Sequence, residues 1–354
     1  MLDLKLFSGS KKIVGLDIGS SSLKLAEVIG TNKGYMLNQF LQVPLPKGII
    51  AEGVLVDAHE LSSKLKELFK NSGLRGRGVA TSLSGNSVIV KKVTFSQMEE
   101  AELRDLIRDE GGKYLPFDNM DAVNYDFQIL GDNEFNPSQM DVIIVAAKKD
   151  IVNSYLDALV DAGLNVMIMD VDSFALETMY EANYKYENDE IVVIVNIGAS
   201  ITNINVIKGG MSIFTRDFTL GGNSITEGLQ GQYNITFEEA EKNKLECLPD
   251  NIELQNSILD FAEPICSEIE RSIDYFRSTF GGENIKHVFL SGGSARIHGL
   301  ATTLSQRLNI ETEIINPFLE IGYNKKNIDA NDLENISPIA AVAIGLGLRK
   351  MDDK

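Results

Sequence analysis

Two short stretches combine an Asp or Asn, a glycine and small hydroxyl residues in one order: "LDIGSSSLK" at 16–24 and "VNIGASITN" at 195–203. Laid on one another, Asn196 falls on Asp17, Gly198 on Gly19 and Ser200 on Ser21. Such turns suit phosphate, because glycine lets backbone N–H groups approach an anion and hydroxyls add donors. Gly19, Ser20, Ser21 and Ser22 would serve in the first copy, and Gly198, Ala199, Ser200 and Thr202 in the second. Asp17, just before its turn, can hold a magnesium ion through water. Asn196 can accept a hydrogen bond from metal-bound water, but it brings no negative charge and cannot act as a base. Either stretch alone reads equally as an ordinary hairpin turn, whereas two facing copies could grip a triphosphate from both sides. A third stretch, "SGGSARIHG" at 291–299, places Gly292 and Gly293 at the end of a strand, where an adenine could lie against backbone beside Ser294 and Arg296.

The surrounding elements repeat as well. Three β segments between 12 and 45 form a meander, followed by a helix with Asp57 as N-cap, Leu61, Leu65 and Leu68 on one face, and Gly73 as C-cap. The second copy, from 191, again gives three β segments, closed by Gly221 and Gly222, and then helices. An internal duplication is the economical reading. Between the copies, residues 83–147 form a β/α insert whose helix is expected to be capped by Ser96 and ended by Gly111, Gly112 and Pro116. A long apolar-striped helix over 255–280 has Pro264 near its start or at a kink, and its stripe reads as core packing. The expected divisions are a first lobe over 1–82 and 148–190, the insert over 83–147, and a second lobe over 191–225 and 285–335. A helical subdomain over 226–284 and a closing helix of the first lobe over 336–354 complete them.

Composition narrows the function. The chain has 354 residues, too many for one small core, with 44% hydrophobic and 24% charged residues and a formal charge of −18. That charge repels a nucleic-acid backbone and an anionic membrane. Cys247 and Cys266 lack nearby metal-ligand partners and fit a reducing cytoplasm. No apolar run is long enough to span a bilayer and no signal peptide is evident.

Taken in order, these motifs resemble the actin-like ATPase superfamily, which includes actin, Hsp70 chaperones, sugar kinases and FtsA. "GLDIGSSSLK" looks like the first phosphate motif, "VNIGASITNI" the second and "FLSGGSARIHGL" the adenosine motif, with "MDVDSFALE" and "IAAVAIGLGL" as the connecting motifs. "AEKNK" looks like the superfamily's Glu-x-x-Lys at the nucleoside, carried over as Glu241 and Lys244. "SLSGNSVIVKKVTF", "KYLPF", "ALVDAGLNVMIMDVDSFAL" and "EIERSIDYF" narrow the resemblance to the PilM family of type IV pilus assembly proteins. The resemblance implies a duplicated, bilobed α/β fold of the actin-like (ribonuclease H-like) type with an FtsA-type SHS2 insert, and ATP with Mg²⁺ as ligands. It implies a cytoplasmic protein held at the inner face of the membrane by the N-terminal tail of PilN, lying between the first lobe and the insert, and through PilN linked to PilO. Pilus motor ATPases and a second copy of the chain are further partners that the sequence leaves open.

Hydrolysis is expected to be weak or absent, since the superfamily usually supplies an aspartate from both hairpins and this chain has Asp17 and Asn196. Lys24, between Leu23 and Leu25, points either to solvent or to phosphate. Glu177, after the first connecting motif, is the remaining candidate for positioning water. A kinase reading would draw on Asp170 or Asp172 as base. An FtsA-like membrane tether would need a terminal amphipathic helix; the chain stops at "GLRKMDDK", and the opening "MLDLKLF" is short for an anchor.

Overall fold

Strand β11 (Ile191–Ile197) shows how the sequence builds the molecule. Ile191, Val193, Val195 and Ile197 point to one apolar core, while Val192 and Ile194 point to another, so the strand is buried on both faces. The computed structural model describes residues 13–350 except 86–87, 118, 249 and 281–283; the "MLDLKLF" stretch and the last four residues lie outside them.

The first lobe opens with β1 (Ile13–Ile18), β2 (Ser22–Thr31), β3 (Gly34–Pro44), the short β4 (Ile50–Ala51) and β5 (Val54–Leu55), α1 (Ala58–Ser72) and β6 (Gly78–Leu83). The insert follows as β7 (Val88–Ser96), α2 (Glu100–Glu110), β8 (Val123–Asn133) and β9 (Asn136–Lys148). The chain returns through α3 (Lys149–Asp161), β10 (Asn165–Val171) and α4 (Asp172–Asn183). After β11 come β12 (Thr202–Lys208), β13 (Met211–Phe218), α5 (Gly222–Tyr233), α6 (Phe237–Leu245) and α7 (Ile252–Thr279). The remainder is β14 (Ile285–Ser291), α8 (Leu300–Leu308), β15 (Glu311–Ile314), β16 (Gly322–Tyr323) and α9 (Leu333–Leu348).

The strands form a sheet in the order β10-β6-β1-β2-β3-β16 and a second in the order β13-β12-β11-β14-β15. Each is an antiparallel meander extended by parallel strands. Helices α4 and α9 lie between the sheets, in a core that takes Ala26, Val28 and Ala80 from the first and Val192, Ile194 and Phe289 from the second. The outer face of the first sheet packs on α1 and α3, and that of the second on α5, α7 and α8. The insert has its own sheet, β7-β9-β8, with Leu103 and Ile107 of α2 buried against Val142 and Ile144.

Local signals explain most boundaries. Asp57 accepts from the Glu60 N–H at 2.9 Å and Gly73 is left-handed with φ 69°, so α1 starts and stops as its caps dictate. Ser96, expected as a cap, instead continues β7, paired with Gln139, and α2 starts at Glu100 without a side-chain cap. The pairing of β7 with β9 over its full length outweighs the single capping bond. Pro264 lies inside α7 rather than at its start.

The two central helices approach each other at backbone distance. A Cβ on Gly345 would sit 1.8 Å from the Ala175 carbonyl oxygen of α4, and one on Gly15 of β1 would sit 2.0 Å from the Ala343 oxygen of α9. Neither neighbour is a side chain that can swing away. Gly345→Ala is expected to cost more than about 3 kcal/mol of stability in urea denaturation, the upper end of overpacking penalties. Gly30→Ala, with open space around it, should change stability by less than about 1 kcal/mol.

Candidate functional site

The two turns are one structure built twice. In the first, the Gly19 N–H donates to the Ser22 oxygen at 3.1 Å; in the second, the Gly198 N–H donates to the Ile201 oxygen at 2.9 Å. Cross-strand registers match too, Asp17 opposite Lys24 and Asn196 opposite Asn203. The first pair is an ion pair, Lys24 Nζ to Asp17 Oδ2 at 2.8 Å; the second is its neutral counterpart, Asn196 Nδ2 donating to Asn203 Oδ1 at 3.1 Å. Lys24 therefore lies in the site rather than in solvent.

Both turns open on one cleft. Its walls are Asp17, Gly19, Ser20, Ser21, Ser22 and Lys24 from the first lobe, and Asn196, Gly198 and Ala199 from the second. Glu241, Lys244, Gly292, Gly293, Ser294 and Arg296 line it as well. Among the described residues, the N–H groups of Ser20, Ser21, Ala199 and Ser200 have no hydrogen-bond acceptor, so each turn keeps consecutive donors at its tip.

Four other candidates belong to the second turn or stand behind it. Thr202 is buried and donates to the Leu220 oxygen, and Ser200 accepts from Asn223 Nδ2 at 3.2 Å. The Gly222 N–H donates to the Gly198 oxygen at 2.9 Å, and a Cβ on Gly221 would lie 2.6 Å from that oxygen. Thr202, Gly221 and Gly222 shape the turn from behind, and the Ser200 hydroxyl is engaged by Asn223, leaving its backbone N–H as the group at the turn's tip.

Lys244 is buried, and its ammonium reaches Gly222 O at 3.0 Å, Thr226 Oγ1 at 2.9 Å and Glu241 Oε2 at 2.6 Å. Its three protons are thus spent on protein acceptors. Burial lowers its pKa despite Glu241. Lys244 fixes the start of α5 against α6, while Glu241 remains partly exposed. Gly292 has φ 88° and donates to the Pro338 oxygen at 2.8 Å, and a Cβ on Gly293 would meet nothing within 4 Å, leaving room for a flat group against the backbone.

The carboxylates correct the sequence reading. Glu177 does not line the cleft; its Oε2 accepts from the backbone N–H and hydroxyl of Ser212 in β13, and burial pushes its carboxyl up to about 7. Asp170 is paired with Arg349 at 2.6 Å. The carboxyl facing Asp17 is Asp172, at the start of α4, which lines the cleft and accepts from Ser82 Oγ at 2.6 Å. Burial, and then the charge of Asp17, raise its pKa above the ordinary carboxylate value. Two acidic groups converging between the two turns suit a hydrated divalent cation. Among the described residues no three His, Cys, Asp or Glu side chains gather into a cage. Asp17 and Asp172 are the residues that would hold a magnesium ion, with Asn196 beside them as a neutral hydrogen-bond acceptor for its water.

Comparison with known proteins identifies the family. Residues 15–351 match the family described as type IV pilus assembly protein PilM. The chain belongs to the PilM family of type IV pilus assembly proteins. A solved PilM–PilN type IV pilus biogenesis complex holds a chain that is 30% identical, with 97% of this chain and 99% of that one covered at a TM-score of 0.85. The cell division protein FtsA of Bacillus subtilis (strain 168) is 24% identical over 253 residues, 65% of this chain and 57% of FtsA, so the match spans less than two thirds of that relative. MreB 5 of Spiroplasma citri bound to AMPPNP shares the fold at a TM-score of 0.51 and 12% identity, over 94% of each chain. The architecture is thus the bilobed actin-like ATPase fold of the PilM family. Among the described residues no helix is long and apolar enough to cross a membrane.

The folded-state pKa of Asp172 lies above its unfolded value, so the folded protein holds the proton more tightly; that stabilisation is lost as pH rises through the folded pKa. Asp172→Asn keeps an acceptor for Ser82 without the charge. Its stability relative to the parent chain is expected to improve by more than about 1 kcal/mol between pH 5 and pH 8 in urea titrations.

Proposed function

We propose that this PilM-family chain is an ATP-binding scaffold of the type IV pilus assembly platform, recruited from the cytoplasm by the N-terminal tail of PilN. The observation that carries the nucleotide half is the pair of matched turns, each with unpaired N–H groups at its tip, facing one cleft. Phosphates are the group such paired donors fit, and the AMPPNP held by MreB 5 in the same fold supports this. The partner half rests on the solved PilM–PilN complex at 30% identity.

On this reading the first turn presents Lys24 to the phosphates while Asp17 and Asp172 hold magnesium, which when bound neutralises phosphate charge. The second turn supplies its N–H groups and, through Asn196 and Asn203, a polar but uncharged wall. Only one hairpin brings a carboxylate, so the cleft is better equipped to hold nucleotide than to turn it over. Asp172 is the side chain placed to orient water, in the role that chain position had suggested for Glu177.

Titration of a fluorescent ATP analogue with Mg²⁺ onto the whole chain should saturate below 1 millimolar; absence of binding at that level would end the nucleotide reading. Residual turnover, read as phosphate release, is expected to fall at least about tenfold in Asp172→Asn with binding retained. It should stay within about twofold of the parent in Glu177→Gln, whose carboxyl lies outside the cleft.

A further inference from the structure

Lys47 lies outside the cleft lining but joins its two walls. It is carried by the loop between β3 and β4, and this loop is tied to the first turn through the Leu45 N–H, which donates to the Ser21 oxygen at 2.8 Å. From there the side chain crosses to the second lobe. Its ammonium stands 3.2 Å from the ring centroid of Phe237, the first residue of α6, and 3.4 Å from Glu227 Oε1 on α5.

Both receiving helices belong to the site. Phe237 precedes Glu241 by one helical turn, and the start of α5 is bonded to the second turn through Gly222 and Gly198. Each end of the Lys47 contact is therefore anchored to one half of the phosphate clasp.

We propose that Lys47 is a catch that holds the two lobes closed over bound nucleotide and sets the rate at which nucleotide leaves; this rests on the nucleotide-binding reading above. The contact has two parts with different physics. The Lys47–Glu227 pair is exposed on both sides and is weakened by salt. The cation over the Phe237 ring depends on the ring's face and survives removal of Glu227. A latch of this strength suits slow exchange rather than permanent closure, because opening requires only that one flexible side chain let go.

Release of a pre-bound fluorescent ATP analogue, chased with excess ATP in a stopped-flow instrument, tests the catch on the whole chain. Lys47→Ala is expected to speed release about fivefold to tenfold, and Phe237→Leu somewhat less. The parent chain should release faster at high salt, and Lys47→Ala should have lost most of that dependence. Release from Lys47→Ala within twofold of the parent overturns the proposal. A second measurement separates failure of the catch from failure of the nucleotide reading: spin-label distances in the nucleotide-free chain between Lys66→Cys on α1 and Lys242→Cys on α6, in a Cys247→Ser background. A shift to longer distances with Lys47→Ala supports the catch even if no nucleotide binds; an unchanged distribution overturns it.

Discussion

The structure depends on one close contact, the passage of α9 against β1 and α4 with only glycine hydrogens between their backbones. Gly15, Gly345 and Gly347 make that approach possible: added Cβ atoms would meet Ala343 O, Ala175 O and Val28 Cγ2 at 2.0, 1.8 and 3.0 Å. Because α4 and α9 form the shared layer between the sheets, this spacing determines how far apart the lobes stand. The end of β10, and with it Asp172, comes beside the turn after β1 because both strands pair with β6. Burial of Ile344, Leu346, Ala340 and their neighbours on α9 supplies the driving force, roughly 1.5–3 kcal/mol for each large aliphatic side chain. The glycines decide where that force brings the backbones to rest.

On this frame the duplicated hairpins become a clasp whose halves differ in charge. An ion pair braces the first, Asp17 with Lys24, and an amide pair braces the second, Asn196 with Asn203. The substitution keeps a cross-strand hydrogen bond in the same register while removing one negative and one positive group. The second half is thereby left neutral, with backbone donors as its means of meeting an anion. On the proposed reading, a neutral half lowers the charge to be desolvated around bound nucleotide, and it lacks the second carboxylate that a symmetric catalytic site would use.

Much of this was legible in the sequence. The hairpins, the adenosine-type turn and the caps of α1 follow from local residue types, and the duplication follows from matching order. The offset that lays Asn196 on Asp17 also lays Asn203 on Lys24, so the neutral brace of the second turn is written in the sequence too. Asp172 was harder to read, because its role arises only when β10 and β1 are both laid beside β6. Glu177 shares a helix with Asp172 but stands five residues on, about 140° around the axis, and so faces Ser212 instead of the cleft. Ser96 shows the reverse case, a good local capping signal overridden by the ladder between β7 and β9. Lys244, read as a nucleoside contact, proves to be saturated by protein oxygens that its sequence neighbours do not reveal, namely Gly222 and Thr226.

On the proposed reading both turns close on the same phosphates. Amide hydrogen exchange of the whole chain, with and without ATP and Mg²⁺, tests it most directly. Slowed exchange in both segments, 18–22 and 197–201, is the predicted result. Protection of one segment alone, or of neither while nucleotide is bound, would contradict it.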